Sequence, residues 1–285
     1  MPGFRGRAQP LYDRPPVKYA ALRLDLAADR MPPARFAFLD HSRPIAFAHR
    51  GGAMEAEENT WPAFQNAVTL GYRHIETDVQ ASRDGVAVIF HDDTLERLTG
   101  RPDAINALQW PALAQIVTRG GNGLVRLDDL LSAFPDCCIN LEPKSDAAVE
   151  PIAEAVRRCG ALERVCVGCF DQRRVDRMRT LLGPDLCWSP AHLGVARLWL
   201  SGFGLPAGEL PFPVVQVPPV WGPLPVVTAR FVAAAHARNI DVHVWTVDTD
   251  TEIDRFIDLG VDGIMTDRPS LLKAALERRG LWPGS

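Results

Sequence analysis

Eight short runs of apolar and strand-forming residues recur along this chain, at 45–49, 74–79, 138–142, 164–170, 185–189, 213–217, 241–247 and 262–266. Between most of them lie segments with a helical period, such as Ala147–Cys159, Thr228–Arg238 and Thr249–Leu259. Gly71, Gly160, Gly183 and Gly260 stand where these helices should stop, because a helix commonly closes on a left-handed residue that glycine adopts without steric cost. Strands that alternate with helices pair in parallel and need helices to cover the sheet. Eight such units suit a closed (β/α)8 barrel, the TIM barrel of the α/β class, better than an open doubly wound sheet. Residues 45–280 have the length of one such barrel, about 240 residues.

Two stretches do not fit the bare repeat. Residues 1–44 are rich in Pro and Arg, with room for one short helix from Val17 to Asp29, and read as an N-terminal arm. Residues 80–137, after the second strand, are too long for an ordinary connection and must hold a hairpin and an inserted segment. Arg83-Asp84-Gly85 is the turn of that hairpin, and the Gly-rich tract from Arg119 to Gly123 reads as an exposed loop. An apolar fraction of 47% with 23% charged residues is that of a globular chain with ample core. A formal charge of −4 argues against nucleic acid as a partner. No apolar run has the length of a membrane span, and no apolar leader is evident near the N-terminus. The six cysteines are scattered or adjacent rather than framework-spaced, which suggests reduced thiols and a cytoplasmic setting.

In a TIM barrel the chemistry sits at the C-terminal ends of the strands, and His49, Glu76, Asp78, Glu142, Lys144 and Trp245 fall at or just past such ends. Glu76 and Asp78 are two apart on a strand and share one face. Two carboxylates on one face make a poor core and a good seat for a hard cation. Glu142, in Asn140-Leu-Glu-Pro-Lys144, adds a third acid. Oxygen ligands of this kind suit one divalent cation, Ca2+ or Mg2+, better than zinc. With the turn centred on Asp84, residue 78 pairs near residue 90, so His91 returns beside Asp78, where acid–base chemistry could use it. His49 precedes Arg50-Gly51-Gly52, a cationic side chain beside a backbone that a ligand can approach closely. Arg50 and Lys144 suit phosphate, or simply bridge Glu76, Asp78 and Glu142. Trp245 is either barrel packing or the wall of a substrate pocket, and His243, on the same face, is assigned to structure.

Three rival motifs are set aside. Cys166 and Cys169 lie in a strand-like run with thiols on opposite faces, whereas a redox pair opens a helix. Asp248-Thr-Asp-Thr251 has the look of a haloacid-dehalogenase nucleophile motif but is better explained as a helix N-cap with first-turn acids. His91-Asp92 follows strand-forming residues, not the helices of an HD phosphohydrolase.

Taken in order, His49-Arg-Gly51, Glu58-Asn-Thr60, Glu76-Thr-Asp78, Asp84-Gly85, His91-Asp92, Leu95-Glu-Arg97, Leu141-Glu-Pro-Lys144 and Trp245-Thr-Val247 resemble the glycerophosphodiester phosphodiesterase family over residues 45–275. The resemblance implies a TIM barrel with a small insertion after the second strand. It also implies hydrolysis of a small-molecule glycerophosphodiester to sn-glycerol 3-phosphate and an alcohol, a divalent cation on Glu76, Asp78 and Glu142, and His49 and His91 as acid and base. Arg97-Leu-Thr99 departs from the commoner pattern without removing a catalytic group. A lysophospholipase D-like enzyme on the same barrel is the alternative, with Trp199–Pro213 as its apolar rim. A non-catalytic barrel module is the second.

Overall fold

The structure, a computed structural model, describes residues 36–283. The helix expected over Val17–Asp29 lies outside the described residues. In chain order the strands are β1 Ile45–His49, β2 His74–Ala81, β3 Ala87–Ile89, β4 Val125–Arg126, β5 Cys138–Pro143, β6 Val165–Val167, β7 Cys187–Trp188, β8 Val214–Val217, β9 Val220–Trp221, β10 Leu224–Pro225, β11 Asp241–Val244 and β12 Gly263–Thr266. The helices are α1 Trp61–Thr69, α2 Glu96–Thr99, α3 Trp110–Leu113, α4 Leu127–Ala133, α5 Val149–Arg158, α6 Gln172–Leu182, α7 His192–Ser201, α8 Ala229–His236, α9 Asp250–Leu259 and α10 Pro269–Arg278.

Eight parallel strands run in the order β7-β6-β5-β2-β1-β12-β11-β8, an almost closed TIM barrel. Its seam, between β7 and β8, is bridged by a side chain: Ser189 Oγ accepts the Gln216 N–H at 2.9 Å. Apolar outward faces pack under the helices in two large clusters, one beneath α7–α10 and one beneath α4–α6. Helix α9 starts as expected, with Thr249 Oγ1 accepting the Glu252 N–H and Asp250 and Glu252 in its first turn, and it ends on left-handed Gly260.

Register follows the predicted hairpin. Strands β2 and β3 pair antiparallel with Val79 opposite Ile89, and the Phe90 N–H donates to Asp78 O at 3.0 Å. The insertion then carries α2, α3 and β4 around its own small core of Val88, Phe90, Leu95, Ile105 and Leu113. Its Gly-rich loop is tied to the barrel by Glu57, which accepts from Thr118 Oγ1, from the Gly120 N–H at 3.2 Å and from Asn122 Nδ2 at 2.6 Å.

Three strands end before their apolar runs do. Strands β6, β7 and β11 stop at Val167, Trp188 and Val244, because the residues beyond turn outward to form the mouth loops. Cys166 therefore lies inside the barrel, whereas Cys169 lies past the strand in the mouth wall, its thiol donating to Pro143 O at 3.4 Å. All six cysteines are free.

Inward-pointing side chains below the mouth are apolar or soft. Ile45, Phe47, Cys138, Cys166, Cys187, Val214 and Met265 form one cluster, closed from below by Phe36, Phe38 and Leu39 of the segment just before β1. His74 and His243 share this interior, and burial pushes each pKa down to about 3, so both are neutral packing rings. Neither ring nitrogen of His243 has a hydrogen-bond partner.

Charge is buried at the lower rim as well. Arg43 pairs with Asp241 at 2.9 Å and with Asp262 at 2.8 Å, and Asp262 also takes His236 Nε2 at 2.8 Å. Burial and then Asp262 push the Asp241 carboxyl up to about 7, against the pull of Arg43. The fold thus holds that proton more tightly than the unfolded chain. The associated stability is fully present below about pH 3.8 and is lost as the pH rises through about 7; Arg43 limits the loss. Arg43→Met should cost about 3 kcal/mol at about pH 8.5, where both acids are charged, and clearly less at about pH 5.5. Urea unfolding at the two pH values measures this, and an equal cost at both would contradict it.

Candidate active site

The mouth is built by strand ends that deliver polar side chains in register. His49 pairs across the sheet with Glu76, Glu76 with Asn140, and Asp78 with Glu142. Alternation along β2 points Glu76 and Asp78 inward while Thr77 faces out. Ligand oxygens of Glu76, Asp78 and Glu142 all lie within 4.8 Å of one another. Glu76 and Asp78 are buried and Glu142 is half-buried.

This much negative charge is incompletely balanced by the protein. Burial, and then repulsion from Asp78, pushes the Glu76 carboxyl up to about 8 despite His49 and Arg50 nearby. Burial followed by Asp78 also raises Glu142, with Lys144 opposing. Lys144 Nζ stands 3.3 Å from Glu142 and 3.5 Å from Asp78. Arg50 Nε stands 3.0 Å from Asp78 Oδ2 without hydrogen-bond geometry, and another guanidinium nitrogen pairs with Glu58 at 3.1 Å. Both cations thus adopt the ion-bridging role while also lining the cavity. A hard divalent cation fits this set: three carboxylates converge, oxygen is the donor, and the residual repulsion is what a cation relieves.

Each histidine is held by a carboxylate on Nδ1. Asp267, just past β12, lies 2.6 Å from His49 Nδ1, and His49 Nε2 lies 3.6 Å from Glu76. Burial opposes protonation of His49, but Glu76 and Asp267 outweigh it and raise its pKa. Asp92 lies 2.6 Å from His91 Nδ1 and is itself clamped by Arg97 at 2.6 Å. Arg97 reaches on to Glu58 at 2.7 Å and 3.0 Å, and Glu58 reaches back to Arg50. Asp78 is fixed by Asn59, whose amide donates at 3.1 Å and whose carbonyl accepts from Thr77 Oγ1 at 2.7 Å.

The loop after β1 makes these contacts feasible. Arg50, Gly51 and Gly52 all have positive φ, at 52°, 82° and 106°. A Cβ on Gly51 would meet Ala63 at 2.8 Å, and one on Gly52 would meet Pro269 at 2.6 Å. Glycine is therefore required twice, and the turn folds the Arg50 N–H back to Glu76 at 3.2 Å.

Of the residues singled out from sequence, His49, Arg50, Glu76, His91, Glu142, Lys144 and Trp245 line one cavity of about 630 Å³. Asp78 lies beneath it, its side chain only 1% exposed. Trp245 forms part of the wall and also packs on the barrel's inner cluster. Sequence reasoning missed Asp267, Asn59 and the Asp92–Arg97–Glu58 chain as positioning groups. The only signal for Asp267 was an acid one residue past a barrel strand.

A phosphate-ester hydrolase on a TIM barrel is the class that this framework and mouth define. Residues 49–271 match the glycerophosphoryl diester phosphodiesterase family. The chain is 39% identical over 255 residues to probable glycerophosphodiester phosphodiesterase 2 of Mycobacterium tuberculosis, covering 87% of this chain and 96% of that one. It superposes on a glycerophosphodiester phosphodiesterase from Agrobacterium tumefaciens with a TM-score of 0.70 at 22% identity, covering 81% and 98% of the two chains. A phosphodiesterase of Oleispira antarctica, solved with the product sn-glycerol 3-phosphate, gives a TM-score of 0.71 at 20% identity, covering 82% and 97%. The chain belongs to the glycerophosphoryl diester phosphodiesterase family.

Burial and the neighbouring Asp78 make Glu76 hold its proton more tightly than a free carboxyl does, yet a cation needs it ionised. Binding of a divalent cation should therefore release protons, and affinity should climb as the pH rises. Calorimetry in buffers of different ionisation enthalpy reads both effects. Glu76→Gln should abolish the proton release. A pH-independent affinity in the parent protein would remove Glu76 from the site.

Proposed function

We propose that this chain hydrolyses glycerophosphodiesters to sn-glycerol 3-phosphate and an alcohol, using one divalent cation, Ca2+ or Mg2+, held by Glu76, Asp78 and Glu142. The observation that carries this reading is the convergence of those three carboxylates within 4.8 Å, beside two carboxylate-held histidines on one cavity. The product named for the Oleispira antarctica phosphodiesterase gives further support.

When bound, the cation would supply charge neutralisation at the phosphate and a lowered pKa for a bound hydroxyl. His49 and His91 divide the proton work. One imidazole takes the proton of the glycerol 2-hydroxyl as that oxygen attacks phosphorus, and the other protonates the departing alcohol. Water then opens the cyclic phosphate, activated by the imidazole that has just lost its proton. The first imidazole returns its proton to the 2-oxygen, so both histidines end as they began. Asp267 and Asp92 fix each ring's tautomer and direction through Nδ1. Arg50 and Lys144 hold the anionic phosphate oxygens as charge builds, and Trp245 walls the substrate. The free cysteines support a cytoplasmic setting. No helix among the described residues is long and apolar enough to cross a membrane.

His49→Ala and His91→Ala should each lower turnover at least about a hundredfold, measured as release of glycerol 3-phosphate. EDTA should stop the reaction, and Ca2+ or Mg2+ should restore it. Folded variants that keep near-parental rates would remove the histidines from the chemistry, and full activity in EDTA would remove the cation. Asp267→Asn should cost about tenfold to a hundredfold in kcat with little change in KM, since it positions His49 without touching substrate. A loss confined to KM would contradict that role.

A further inference from the structure

The two strands that carry the acids at the mouth also carry metal-ligating side chains at their opposite ends. His74 opens β2 and Cys138 opens β5, and the two pair directly across the sheet. Both have the parity of Glu76, Asp78 and Glu142, so they too point into the barrel. Four residues at about 3.3 Å each put them about 13 Å below Asp78 and Glu142, well beyond the reach of one ion.

His41, in the segment just before β1, completes the group. One ligand atom from each of His41, His74 and Cys138 lies within 4.8 Å of the other two. His41 Nε2 stands 3.6 Å from Cys138 Sγ, and its ring meets that of His74 edge-on at 4.5 Å. A tetrahedral ion with a bond of about 2.1 Å to nitrogen and about 2.3 Å to sulfur holds two such atoms about 3.6 Å apart. The tautomer of His74 fits as well. Its Nε2 lies 3.1 Å from Phe38 O, a group that can only accept, so the hydrogen is on Nε2 and the lone pair on Nδ1. Metal-bound histidines are commonly oriented by this kind of contact to a backbone carbonyl. His74 and Cys138 are buried, whereas His41 is exposed and gives an ion a way in.

We propose that His41, His74 and Cys138 bind Zn2+ at the base of the barrel, with water as the fourth ligand, and so fasten the segment before β1 to β2 and β5. Two imidazoles and a thiolate suit zinc, whereas the oxygen set at the mouth suits a hard cation. The two ends of β2 and β5 would thus select different metals. Burial makes the Cys138 thiol hold its proton until an ion displaces it. On binding, that proton goes to solvent and the sulfur's electron pair to the ion. Burial keeps both imidazoles neutral beforehand, so they release nothing.

The full chain would be stripped of metal with a chelator, kept in excess Ca2+ to occupy the mouth, and titrated with Co2+ and then Zn2+. Co2+, which takes zinc's place at such sites, should give a thiolate-to-metal charge-transfer band, and one equivalent of Zn2+ should erase it with a Kd of about 1 µM or tighter. Cys138→Ser should remove the band. His41→Ala should weaken Zn2+ binding at least about a hundredfold, the upper end of what loss of an outer-shell partner costs. Because Cys138 is buried, the exposed His41→Ala carries the test if the serine variant does not fold. Zn2+ at about a hundred times Kd should raise the thermal midpoint of the parent by roughly 5 to 10 °C and barely move that of His41→Ala. A band that survives Cys138→Ser would put the metal on another thiol. Equal Zn2+ affinity in His41→Ala would remove that imidazole, and the lack of any band would leave only a thiol–imidazole hydrogen bond. Each of these outcomes would overturn the site.

Discussion

Three carboxylates forced together at the rim of a barrel organise the rest of this molecule. Glu76, Asp78 and Glu142 converge there, and burial together with the nearby Asp78 raises the cost of ionising Glu76 and Glu142. The protein answers with Arg50, Lys144 and His49, but leaves Glu76 near pKa 8, so the balance is incomplete. A wholly compensated cluster would be a structural salt-bridge network. An undercompensated one retains affinity for a further positive charge.

Holding such a cluster requires a second layer of groups that never reach the cavity. Asn59 orients Asp78, Asp267 orients His49, and Asp92, Arg97 and Glu58 form a chain from His91 back to Arg50. These contacts bring together the loop after β1, the hairpin of the insertion and the turn after β12, which are remote in sequence. The two histidines are therefore mechanically linked through the same residues that neutralise the acids. The left-handed turn at Arg50, Gly51 and Gly52 lets one loop serve both, because only a chain without Cβ atoms at 51 and 52 passes that close to Ala63 and Pro269.

The mouth is also divided by chemistry. Charge comes from β1, β2 and β5, whereas α7 and the short β9–β10 hairpin bring tryptophan and leucine beside His192. A barrel permits this because each loop answers to its own strand and helix, so one side of the mouth can change in character without disturbing the other. The expected rim over Trp199–Pro213 captures part of that side through Trp199 and Leu200. The hairpin residues Trp221 and Leu224 lie outside it.

The alternation of eight strand-like runs with helices, the parity of Glu76 and Asp78, and the turn at Asp84 were local patterns, and they determined the barrel, the inward acids and the return of His91. Strand and helix periodicities act over a few residues, so they can be read from a chain alone. The early ends of β6, β7 and β11, the pairing of Asp267 with His49 across 218 positions and the clamp on Asp92 were decided only by the tertiary structure. Each depends on which loops meet above a closed sheet, a distance-dependent balance of burial and charge that no stretch of sequence contains by itself.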